Sequence, residues 1–122
     1  MEDKIRYEVE LALIRIGVSS RLIGYDYLVT AIAKAVIDRS LVRAITKGIY
    51  GEIAAENGIT ISRVERGIRN LIEVVYEKCD VDELEKYVGQ ADAQKGKLTN
   101  GAFIANFART IYYKVRRDAC DR

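Results

Sequence analysis

Apolar residues recur along almost the whole chain at the three-and-four spacing of a helix, and no stretch alternates with the period of two that a half-buried strand requires. A first helix is expected from about Glu2 to Ile16, with Leu11, Ile14 and Val18 among its apolar positions and Gly17 as its stop. Gly24 opens a second helix, striped by Leu28, Ile32, Ala35 and Val36. Ser40 is a suitable N-cap for the next segment. There Leu41, Ile45, Ile49 and Ile53 share one face until Asn57-Gly58 supplies a C-terminal signal.

The next boundary is the most informative. Ser62-Arg63-Val64-Glu65 has the form of a capping box, in which two side chains satisfy each other's orphan backbone donors. Behind it Val64, Ile68, Leu71, Ile72, Val75 and Cys79 make one apolar stripe. A short helix from Val81 to Tyr87 follows, then a polar, glycine-containing loop over 89–97. Thr99 or Asn100 caps a last helix with Phe103, Ile104, Phe107, Ile111 and Val115 facing inward. The pattern predicts an all-α fold, a compact bundle of about six helices in a single domain spanning the 122 residues.

Composition narrows the function. The chain is 49% hydrophobic and 31% charged, enough to bury one core. No apolar run approaches the ~18 residues of a membrane span, and Glu10 and Arg15 interrupt the first one, so a soluble, cytoplasmic protein without membrane contact is expected. There is no proline to break a helix and no histidine. Lacking the commonest general base and metal ligand, the chain is not expected to be an enzyme, with no catalytic residue, metal or cofactor assigned. Cys79 and Cys120 are too few and too far apart for a zinc site or a disulfide framework.

The net charge of +2 points to no partner, but its distribution does. Arg63, Arg66 and Arg69 are spaced in threes, and Lys114, Arg116 and Arg117 cluster in the tail. Over 53–76, Ala54, Gly58, Ile59 and Thr60 stand where a helix-turn-helix wants a small crossing residue, a glycine turn and an apolar residue behind it. Gly67 and Asn57 depart from the general pattern. At ~100° per residue, Ser62, Arg63, Arg66, Arg69, Asn70 and Glu73 share an arc opposite Val64, Ile68, Leu71 and Val75. Arg, Asn and Glu are the residue types that grip guanine, adenine and the cytosine amino group. A charged outer face is also the default of any amphipathic helix, so a helical protein-interaction module that binds no DNA stays open on these residues alone. Eight tyrosines, Tyr112 and Tyr113 among them, are candidates for such a contact.

A resemblance separates the two. Ile45-Thr46-Lys47, Tyr50 and Ile53-Ala54, then the run from Thr60 through Ser62-Arg63-Val64-Glu65-Arg66 to Arg69, then Ile72-Glu73-Val74, resemble the C-terminal effector domain of the stage-zero sporulation response regulator family. Ile16-Gly17-Val18, the run from Gly24 to Leu28, and Lys95 to Ala105 extend the resemblance over about residues 5–115. It implies a six-helix fold with a helix-turn-helix as helices three and four, binding to promoter boxes of double-stranded DNA, and occupation as a homodimer or tandem copies. RNA polymerase is the further partner expected of such a regulator. Carried over by position, Glu65 and Arg66 match base-contacting residues, Arg63 and Arg69 arginines of the same DNA-facing surface, and Lys47, Lys95 and Lys97 basic positions expected at phosphates; Asn70 is expected with the four at the bases, and Thr46 and Ser62 with the lysines at the phosphates. Asn70 stands where the family's best-known members have histidine and Gly67 where they have alanine; Gly51 and Leu98 replace prolines. No receiver domain with a phosphoacceptor aspartate is expected within this sequence.

Overall fold

The computed structural model describes residues 2–89, 93 and 98–120, and every regular element among them is helical. Helix α1 (Glu2–Ile16) turns through Gly17 into α2 (Tyr25–Ile37). Tyr25, Leu28, Val29, Ala31, Ile32, Ala33, Ala35 and Val36 of α2 are all buried, too many for one stripe. A helix apolar nearly all round belongs in the middle, and α2 accordingly packs on α1, on α4 (Ile61–Lys78) and on α6 (Asn100–Cys120). Between α2 and α4 lies α3 (Gly51–Asn57); α5 (Val81–Val88) connects α4 toward α6 and packs on α6.

The stripes expected on α2, α4 and α6 are the observed buried faces, with Phe103, Ile104, Phe107, Ile111 and Val115 of α6 all in the core. The phase of α1 differs from the expectation. Ile5, Val9, Ala12, Leu13 and Ile16 face inward, which leaves Leu11 half-buried and Ile14 63% exposed. Leu13 and Ile14 are ~100° apart on a helix, so both cannot face one core.

The segment after α2 is not one helix capped by Ser40. Asp38 is the cap: its Oδ1 accepts from the Ser40 N–H at 3.0 Å and the Ser40 hydroxyl at 2.6 Å. A 3-10 stretch, Arg39–Ala44, then passes into a π-wound turn, Ile45–Tyr50, before α3 begins. Tighter, then wider winding shifts the phase of the side chains, and Ile49, Tyr50, Ile53 and Ala54 go in together. Lys34 of α2 holds this region through Glu56 at 3.1 Å and Glu52 at 3.7 Å.

The α3–α4 turn has the expected glycine. Gly58 adopts φ 63°, a left-handed C-cap that a side chain would strain, and Ile59 N–H returns to Ala54 O at 3.0 Å. The cap of α4 is Thr60, not Ser62. Thr60 Oγ1 accepts from the Arg63 N–H at 3.2 Å, so the helix starts two residues earlier than the capping box implied. Glu65 is thereby released from capping. Of the expected 89–97 loop, Gly89 and Ala93 are described; Ala93 is helical and buried, its N–H donating to Gly89 O at 2.9 Å. Thr99 caps α6, accepting from Ala102 N–H at 3.2 Å.

One crossing sets how α4 meets α2. Gly24, at φ 93°, precedes α2 and lies against the backbone of Gly67 in mid-α4: a Cβ on Gly24 would stand 2.3 Å from Gly67 O. Gly67 costs α4 ~1 kcal/mol in helix propensity relative to alanine, yet a Cβ there would sit 3.3 Å from the Tyr27 ring and 3.5 Å from Gly24 Cα. The glycine therefore has a packing reason.

Two outcomes in denaturant titrations follow. Gly24→Ala, strained in φ and driven into backbone, loses about 2 kcal/mol or more. Thr60→Ala loses about 1 kcal/mol, whereas Ser62→Ala changes stability by no more than about 0.5 kcal/mol; equal losses at 60 and 62 would contradict the cap assignment.

Candidate nucleic-acid interface

Helix α4 buries Val64, Gly67, Ile68, Leu71, Ile72 and Val75, and the remainder of its circumference faces outward. Ser62, Arg63, Arg66, Arg69 and Asn70 are exposed; Glu65 and Glu73 are half-buried at the margin. The arc predicted from spacing is therefore present, but it is split into two strips with different neighbours.

The first strip, Arg63, Arg66 and Asn70, runs at i, i+3, i+7 along the side toward the start of α2. With Ile23, Tyr27 and Gly67 these residues line a shallow cleft of about 160 Å³. None of the three side chains makes a hydrogen bond or ion pair among the described residues, so their donors are directed to solvent. Ile23, 86% exposed, stands beside the arginines. Its place was not readable from the helical pattern, since it lies between elements.

The second strip, Glu65 and Arg69, faces the N-terminus of α6, with Ser62 exposed beside it. Arg69 Nη1 donates to Glu65 Oε1 at 3.2 Å, an i,i+4 pair with both side chains nearly half-exposed. Such a pair contributes only ~0.3–0.5 kcal/mol, but it presets the direction of both groups. They line a groove of about 440 Å³ with Ile45, Thr46, Tyr50, Leu98, Thr99, Asn100 and Gly101. Asn100 fastens the far wall: its Nδ2–H donates to Glu65 O at 3.0 Å, joining α6 to the second turn of α4. Tyr50 forms the floor; burial pushes its phenol up, opposed by the Asn100 amide, with Glu65 adding to the rise and Arg69 opposing it. Asn100 and Tyr50 were missed as groove residues because they meet Glu65 only in the fold, Asn100 35 residues along the chain from it; Thr99-Asn100 alone reads as a cap.

Thr46 lines this groove and Lys47, next to it, is exposed, both on the π-wound turn. Lys95 and Lys97 lie outside the described residues. The basic tail does not form an outward basic face. Lys114 turns in to Glu8 of α1 at 3.0 Å, Arg116 donates to the Tyr112 hydroxyl at 3.2 Å and lies over its ring, and Arg117 Nε is 4.0 Å from Asp118. Glu8 is 9% exposed, so the Lys114 charge answers a buried carboxylate instead of a partner.

Among the described residues no group of histidine, cysteine or acidic side chains is placed to hold a metal ion, and no helix is long and apolar enough to cross a membrane. Cys79 packs partly against the core, burial raising its thiol; Cys120 is exposed.

Residues 9–111 match the family described as sporulation initiation factor Spo0A C terminal. The matched span begins in α1, contains both helices of the helix-turn-helix, and ends at Ile111 in α6. It covers every described residue of both strips and of the groove. The family is one of DNA-binding domains of sporulation transcription regulators and not one of enzymes. This chain belongs to the Spo0A C-terminal family.

Proposed function

We propose that this chain is a sequence-specific transcription regulator that places α4 in the major groove of a promoter box. The observation that carries the reading is the first strip: Arg63, Arg66 and Asn70 are exposed in the opening turns of the second helix of a helix-turn-helix, with no internal partner for their side-chain donors. Arginine matches the paired acceptors of guanine, and asparagine the donor and acceptor of adenine. Glu65 and Arg69 reach bases as a preset pair from the groove side. Ser62, Thr46 and Lys47, flanking that strip, take phosphates, and Lys95 and Lys97 carry the same role from the family resemblance.

Asn70 in place of the histidine of better-known members alters the base preferred at one position. Homodimeric or tandem occupation of boxes and contact with RNA polymerase belong to the same proposal; the exposed Tyr7 and Ile14 on α1 and Tyr113 on α6 offer apolar surface for protein contacts beside the DNA. A module that binds only protein would use those side chains and leave duplex DNA unbound.

Fluorescence anisotropy of a duplex carrying the sporulation regulator's box, against a scrambled duplex at two salt concentrations, tests the reading. The box is preferred, and affinity falls as salt rises because neutralised phosphates release counterions. Arg66→Ala loses about 1–3 kcal/mol of discrimination between the two duplexes. Lys47→Ala weakens both alike and lowers the salt slope by about 1. An Arg66→Ala protein that keeps the wild-type ratio of affinities would remove α4 from the bases.

A further inference from the structure

The 3-10 stretch Arg39–Ala44 and helix α6 enclose another cleft, of about 360 Å³, lined by Arg39, Val42, Arg43, Ala105, Asn106 and Arg109. Three guanidinium groups border it and, among the described residues, no carboxylate does. Arg43 and Arg109 are exposed, and none of the three arginines forms an ion pair among the described residues. Arg39 is held over the Tyr112 ring, 4.4 Å from its centre, so one of the three charges is already oriented. Gathered like charges without a counter-charge are unfavourable until an anion enters. Guanidinium is the side chain best shaped to hold a phosphate through two parallel hydrogen bonds.

The position of the cleft indicates which anion. Its walls are those of the groove beside Glu65, continued: the stretch preceding Thr46 on one side and α6 beyond Gly101 on the other. From Gly101 to Ala105 is ~6 Å along a helix. A B-form strand presents a phosphate every ~3.4 Å of axis, so the cleft lies within reach of the phosphates next to those at the groove. We propose that Arg39, Arg43 and Arg109 grip backbone phosphates of the duplex flanking the box that α4 reads. The proposal rests on α4 being the recognition helix, and it enlarges the footprint without adding sequence preference.

The test compares wild type, R43A/R109A and R43K/R109K by anisotropy on two duplexes, one trimmed to the box and one extended by about a helical turn, ~10 base pairs, on each side. Two fewer neutralised phosphates lower the slope of log affinity against log salt by about 1.8. On the extended duplex the advantage of wild type over the alanine variant then shrinks about tenfold between ~50 and ~200 mM salt. On the trimmed duplex the two bind equally, and the lysine variant keeps the wild-type slope, since charge at phosphate is retained. Equal slopes for wild type and the alanine variant on the extended duplex, with box preference intact, overturn this proposal alone and leave the cleft to an acidic protein surface. A wild type that binds neither duplex overturns it together with the assignment of α4.

Discussion

The outer face of α4 depends first on the contact of two backbones. Gly24 and Gly67 meet where α2 begins and α4 is halfway along, at a separation that leaves no room for a Cβ on the first. That closeness lets Val64, Ile68 and Leu71 reach the core that α2 supplies, and it fixes the rotation of α4 about its own axis. The rotation decides which residues face outward. Helix propensity in α4 is given up at Gly67 for this geometry, a tertiary gain overriding a local preference.

A second set of contacts braces the other side of α4. The winding change through 39–50 brings Tyr50 under the helix, and Asn100 bonds to the Glu65 carbonyl, so the first turn of α6 becomes part of the groove wall. The helix-turn-helix is thus not a freestanding hairpin. It is held at its start by Thr60, in its middle by Gly24 and along one flank by α6.

The parts legible in the sequence were those that repeat. The stripes of α2, α4 and α6 are long and strongly periodic, and an outward arc follows from an inward one, so Arg63, Arg66 and Asn70 were found from spacing. What escaped depends on neighbours distant along the chain. Ile14 passes for a core residue until Leu13 is seen to occupy that direction. Thr60 and Ser62 are equally good caps by chemistry, and the phase imposed by core packing chooses between them. The 3-10 and π winding of 39–50 has no local signature, because the apolar spacing there also fits one regular helix. The tail charges looked like a basic face because Glu8, the partner of Lys114, lies more than a hundred residues earlier.

The separation of Thr60 from Ser62 reaches beyond folding. With the cap made by a residue outside the arc, and with Arg63, Arg66 and Asn70 making no side-chain hydrogen bond or ion pair among the described residues, this strip carries little of the domain's stability. Its residues can therefore change while the scaffold stays intact. Glu65 and Arg69 are paired with each other, so changing either one alters the direction of the other. The outer face of α4 is therefore divided between a strip that the fold leaves unconstrained and one that is coupled to its neighbours.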